Sequence, residues 1–515
     1  MKNFLSSLII ANSLFSYTNA TANNGVNETI ARFHENPSAV MNEVPEKTPV
    51  VGDESMLDYM NSPFGHKPLG LGDIVEIKEE GRNVICRINN GVKECGDEKP
   101  ARSGVRTNDN FMNVIDYNAS VVKTLEQIES RNLLSGELSE QPWSDDYWAI
   151  ANGVLAHRYA HDSGEKNHQW QEAFNKFKGT PTQELIDQGL IHQLSPAEKY
   201  DLLVGDKNFT LTSQMFLEGK GYFDRNGEVE PWMGICHGWA AAAYMLPRPK
   251  KVVWVKSADG KYDIPFYPSD IKSLGSLIYA KNNYESKFIG GRCNTKDPEQ
   301  DANGRVLDQN CFDNNPATWH LAIVNQIGLN NRSIVMDATF DYEVWNQPVL
   351  SYKISYFNPA EFVYKNNLRD AISNINDFKN DKFKQYRDSR TRFVVGIEMD
   401  VKYIVETSPR QTPLDSPSYD GIKSVTYRYD LELDGTGDII GGEWYTNLHP
   451  DFLWSPLKTA RVYTQADRFL ASRGIYKWSA NEIVPSTVGQ VVGMESRRGS
   501  PLALIVDGLF EAASK

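Results

Sequence analysis

Residues Pro231–Leu246 read PWMGICHGWAAAAYML. From Trp239 to Leu246 the run holds strong helix formers, with no Gly or Pro before Pro247. Cys236 therefore falls at or next to a helix N-terminus, after a turn through Gly234. Unpaired N–H groups and the helix dipole favour negative charge there, so the spacing predicts a thiol that ionises readily into a nucleophile. The same N–H groups suit an oxyanion formed when an acyl carbon is attacked. A buried structural cysteine leading a core helix fits this stretch as well. The remainder of the chain has to separate the two.

A second block, NPATWHLAIVNQI, covers Asn315–Ile327, and SIVMDAT follows at Ser333–Thr339. Both read as β-like runs joined by a turn at Gly328–Arg332, which predicts a hairpin bringing His320 and Asp337 onto neighbouring strands. A thiol on a helix N-terminus, an imidazole and a carboxylate make a nucleophilic triad of Cys236, His320 and Asp337. His237 follows Cys236 directly and points elsewhere on a helix. His449 is an alternative base, ranked behind His320.

These residues carry a resemblance. Cysteine heading a helix, histidine opening a strand and aspartate in a D-A-T run resemble the papain-like transglutaminase core. Trp143-Ser-Asp-Asp-Tyr-Trp148, Cys236-His-Gly-Trp239 and Val344-Trp-Asn-Gln-Pro-Val349 look like the transglutaminase elicitors of Phytophthora and their bacterial relatives. The hexapeptide VWNQPV is similar to the core of the fragment that plants sense in those proteins, although Leu350-Ser-Tyr-Lys departs from it downstream.

The resemblance implies a protein-glutamine γ-glutamyltransferase. Its protein substrates are a glutamine donor and a lysine or other amine acceptor, joined through a thioester on Cys236. His320 is then the base and Asp337 the group that orients it. A cysteine protease, a glutamine deamidase and a non-catalytic elicitor or binding protein are the alternatives on the same residues. The resemblance also implies calcium as a cofactor. Asp430, Glu432, Asp434 and Asp438 offer oxygen ligands around glycine turns, but the twelfth position from Asp430 is Gly441, so the loop is not an EF-hand. An Asx-stabilised turn explains the same residues.

Composition bounds these readings. The formal net charge of −13 argues against a general nucleic-acid binder and against docking on anionic membranes. At the N-terminus, Met1-Lys2-Asn3, an apolar run from Phe4 to Phe15 and small residues ending at Ala20 or Ala22 read as a secretory signal peptide. That run is too short for a bilayer span and no later stretch qualifies, so the expectation is an exported, secreted protein. Export makes the five cysteines informative. Cys86 and Cys95 flank Asn89-Asn90-Gly91, a hairpin turn that a disulfide can bridge. Cys293 and Cys311 bracket a polar loop that a second disulfide would tie down. Cys236 is left as the odd thiol.

The chain divides into a signal peptide (1–22), a pro-segment or accessory domain (23–110) and a catalytic domain (111–460). A C-terminal extension (461–515) packs on the core. The basic stretch Lys99–Arg106 marks a protease-sensitive joint. Helical spacing is read at Val114–Leu134, Asp145–His161, from Ser195 and at Asn481–Gly493. His157 and His161 lie one turn apart but lack a third ligand. Strands are read at Lys251–Lys256, Tyr262–Phe266, Thr391–Val405 and Lys423–Leu433. The expected class is α+β, with helices packed on a mixed or antiparallel sheet.

Overall fold

The computed structural model describes residues 109–161, 169–290, 299–301, 307, 314–338, 344–446 and 448–515. It also describes residues 32, 35, 36, 39 and 40, and the backbone of 74–79, 82–89 and 92–97. The signal peptide, the Lys99–Arg106 joint, and Cys293 and Cys311 with most of the loop between them lie outside the described residues.

The second half of the chain, with Ser135–Glu137 from the first, builds a ten-stranded sheet. Its main path uses β1 (Ser286–Gly290), β2 (Val335–Asp337), β3 (Asn346–Asn358) and β4 (Phe393–Val405). It continues with β5 (Gly421–Leu433), β6 (Ile439–Trp444) and β7 (Phe452–Pro456). The order is β6-β5-β4-β3-β2-β7-β1, antiparallel throughout. β4 and β5 fall where the sequence predicts strands. Central β4 is buried along most of its length, as a strand covered on both faces must be. With its helices the molecule is α+β.

The helices form because capping and burial agree. Pro196–Val204 opens on a capping box in which the Ser195 hydroxyl accepts from the Glu198 N–H. Cys236–Met245 is the predicted helix, and it packs on Pro268–Lys281. Gly238 makes that contact close: a side chain there would collide with the Ser276 carbonyl oxygen and with Ala280. Ala240–Ala243 continue the tight face, and Trp239 is fully buried. Removing such an indole from water contributes on the order of 5 kcal/mol. The C-terminal helix Ala503–Ser514 covers Pro268–Lys281 from another side, its Phe510 ring 6.3 Å from Trp143. The site helix is thus held rigidly inside the core.

Two smaller sheets match their sequence signals. Val253–Lys256 pairs with Asp263–Phe266. Near the N-terminus, Arg82–Asn89 pairs with Val92–Asp97, and the backbone register sets Cys86 opposite Cys95.

Other expectations are corrected. Asp145–His161 is not a helix: an irregular stretch to Ala149 is followed by three short 3-10 turns from Ile150, because Trp148, Gly153 and Val154 take φ of 50°, 83° and 49°, which no α-helix tolerates. His157 and His161 are therefore not stacked on one helix. Within Val114–Leu134 only Leu125–Ser130 is α-helical. The C-terminal helix read at Asn481–Gly493 starts later, at Ser486, with Pro485 as its N-cap. Most consequential, His320 is not on a strand. Pro316–Ile323 is an α-helix, capped by Asn315, whose side chain accepts from the Ala317 N–H, and opened by Pro316 at its first turn. It is buried on every side, so it shows no polar face and its sequence imitates a core strand.

Candidate active site

Cys236 is the first residue of its helix, after Ile235 at the N-cap. The turn before it is locked onto the Trp143–Trp148 motif. The Ile235 N–H donates to the Tyr147 carbonyl at 2.7 Å, and Gly234 lies so close to that carbonyl that no larger residue fits. The Tyr147 hydroxyl donates back to the Pro231 carbonyl at 2.9 Å. The Trp239 indole N–H donates to the Trp143 carbonyl at 3.0 Å. These bonds fix the turn that presents the thiol.

The hexapeptide supplies the thiol's own contacts. The Cys236 Sγ donates to the Val344 carbonyl and accepts from the Asn346 side-chain amide, each at 3.7 Å. Asn346 opens β3 and pairs in register with Asp337, the last residue of β2. One Asp337 oxygen accepts the Trp345 N–H at 3.0 Å. Next along β3, the Gln347 amide donates to both oxygens of Glu406, at 2.9 and 3.0 Å. The structure therefore brings Cys236, Asp337, Asn346 and Glu406 to one end of the sheet.

The electrostatics run against the simple helix-terminus expectation. Burial pushes the Cys236 thiol up to about 11, and the nearby carboxylates of Glu406 and Asp337 push the same way. Hydrogen bonds from Asn346 oppose this, but burial and charge prevail. In this conformation the surroundings of Cys236 thus oppose the ready ionisation expected of a thiol at a helix terminus.

His320 is placed apart from this group. Its Nδ1 lies 2.8 Å from the Tyr429 hydroxyl, and its Nε2 has no hydrogen-bond partner among the described residues. None of its hydrogen bonds or ring contacts reaches Cys236 or Asp337. Complete burial lowers its pKa to about 3. The alternative, His449, stacks on Trp444 with centroids 5.1 Å apart, and Trp444 meets Tyr427 and Tyr429 edge-on. His449 sits just ahead of β7, whose pairing with β2 sets Leu453 opposite Met336. The β7 entry therefore adjoins the end of β2 that bears Asp337.

The four candidate calcium ligands do not converge. Asp430 and Glu432 are buried on β5, where Asp430 accepts from the Arg387 guanidinium at 2.6 and 2.8 Å and Glu432 accepts from the Thr391 hydroxyl at 2.6 Å. Asp434 and Asp438 lie on the β5–β6 turn, where Asp434 accepts from Thr436 and from the Asp438 N–H as an Asx turn. The Arg387 guanidinium already pairs with Asp430 and lies 3.5 Å from Glu432, while Asp434 and Asp438 sit on a separate turn, so these residues do not fit a calcium ion. Among the described residues no group of three or more His, Cys, Asp or Glu side chains is arranged to hold a metal.

Sequence reasoning did not single out Asn346, Glu406 or Trp454. Asn346 was in view inside VWNQPV, and its position in a shared motif was the available signal. Glu406 and Trp454 carry no local signature, since only the sheet's pairing brings them to the thiol.

A family model described as transglutaminase elicitor matches residues 115–471. Among solved structures, the chain is similar to the GP42 transglutaminase from Phytophthora sojae, with 21% identity over 73% of this chain and 94% of that one, at a TM-score of 0.45. No curated protein matches. Since the family match spans more than half its length, the chain belongs to the transglutaminase elicitor family.

Proposed function

We propose that the protein is a secreted transglutaminase that forms isopeptide bonds through Cys236. The observation that carries this reading is the convergence of a helix-leading thiol, the Asp337 carboxylate and the Asn346 amide at one end of the sheet, within a member of this family.

The chemistry follows from those atoms. A base removes the Cys236 proton, and Sγ bonds to the side-chain carboxamide carbon of a glutamine. The tetrahedral oxyanion collapses, the C–N bond breaks and ammonia leaves with the proton, giving a thioester. A lysine amine then attacks, and the thiol is restored. Water in its place gives glutamate.

The proton acceptor is a histidine. The triad read from sequence assigns it to His320, with Asp337 as the orienting carboxylate. The strand order favours His449, because β7 delivers it to the Asp337 end of β2. Replacing each by asparagine separates them: under this reading His449→Asn abolishes acyl transfer while His320→Asn retains it. The reverse pattern restores His320 as the base.

The reading is tested by incorporation of a labelled amine into a glutamine-rich protein, with the isopeptide identified by mass spectrometry. Cleavage of that protein without incorporation would establish the thiol-protease reading instead.

A further inference from the structure

We infer that Asn346 is a catalytic residue of this site: its side-chain N–H stabilises the Cys236 sulfur as its anion forms, and Trp454 fixes the amide that does so. The inference rests on the acyl-transfer reading above and adds to it the group that stabilises the nucleophile.

Two contacts carry it. The Asn346 Nδ2 donates to Sγ at 3.7 Å. A side-chain amide can present either its oxygen or its nitrogen, and here the choice is forced, because the Trp454 indole N–H donates to Asn346 Oδ1 at 2.7 Å. An indole only donates, so it selects the oxygen and turns the nitrogen to the sulfur. All of these groups are buried, and Asn346 is pinned further by its ladder pairing with Asp337.

The arrangement answers a problem the site sets itself. Burial, Glu406 and Asp337 all oppose a negative charge on Cys236. An N–H donor aimed at the sulfur in a water-poor site is the available counterweight, since hydrogen bonds to an ion are shorter and stronger than those to a neutral group. When Sγ bonds to the acyl carbon, the oxyanion lies one bond further on. An amide already reaching the sulfur is placed to donate to that oxygen too, so the same side chain serves both charged stages.

The test reads the sulfur directly. The rate of Cys236 alkylation by iodoacetamide is measured against pH on the full chain, following the Cys236 peptide by mass spectrometry. Asn346→Ala is expected to move the midpoint up by about one pH unit, a tenfold slower reaction below it. Asn346→Asp, which places a carboxylate against the thiol, moves it further. Trp454→Phe, which loses only the N–H and tests the same chain of contacts should an Asn346 variant misfold, raises it by a smaller amount. Unchanged midpoints in folded Asn346→Ala and Trp454→Phe proteins would overturn the inference. Because alkylation needs no acyl transfer, a shifted midpoint in a protein that incorporates no amine would sink the transglutaminase reading and leave this one standing.

Discussion

The Nδ1 of His320 lies 2.8 Å from the Tyr429 hydroxyl, and that contact makes the histidine best marked by sequence a member of the core. Its folded pKa, near 3, is depressed by burial from an ordinary value of 6.5. A histidine buried neutral contributes stability that is present above the unfolded value and lost as pH falls toward the folded one. His320→Asn retains a partner for Tyr429 and removes the titration. Urea unfolding from pH 7 to pH 4 should show the native protein losing up to about 1.4 kcal/mol per pH unit more than the variant below 6.5. Parallel curves would mean that His320 does not titrate there.

Arg387 stands where a metal was expected from sequence. Its guanidinium binds Asp381 at 3.0 Å and Asp430 at 2.6 Å, with Glu432 3.5 Å away. Arg387→Met leaves these buried carboxylates without their cation, so a loss of roughly 3–5 kcal/mol is expected on chemical unfolding. Added calcium should not restore it. A loss below about 1 kcal/mol, or rescue by calcium, would contradict this assignment of the acidic residues.

Glu406 bears on the reactivity of the thiol. Its carboxylate pushes the Cys236 pKa upward, so Glu406→Gln removes a negative charge and should lower the pH at which Cys236 is alkylated. This shift is opposite in sign to that of the Asn346 variants. An upward or absent shift would show that the Gln347–Glu406 pair matters only to packing.

The hexapeptide is not displayed. Trp345, Asn346, Gln347 and Val349 are buried, the last three within β3. An antibody raised against VWNQPV should therefore bind the denatured chain and not the native one. Equal binding to both forms would mean that β3 opens readily in solution.

The parts legible in sequence were those decided by local rules. Alanine-rich Trp239–Met245, the Ser195 capping box and the long alternating runs of β4 and β5 each carry their own periodicity or cap. His320 was misread for a physical reason. A helix buried all round has no polar stripe, and the telling signal was Asn315-Pro316 at its start, not the apolar run after it. The Asp145–His161 turns were missed because left-handed Trp148 and Val154 are imposed by tertiary packing. Around the thiol, Cys236 and Asp337 were found by residue type, whereas Trp454 and Glu406 arrive through strand order.

The most direct test of the account is labelled-amine incorporation into a glutamine protein, comparing the full chain with Cys236→Ala. A form trimmed near Arg106 is run in parallel, in case the N-terminal segment masks the site. Incorporation by at least one native form, with isopeptide product, and none by either alanine variant is expected. Incorporation that persists without the Cys236 thiol, or silence from both native forms, would contradict it.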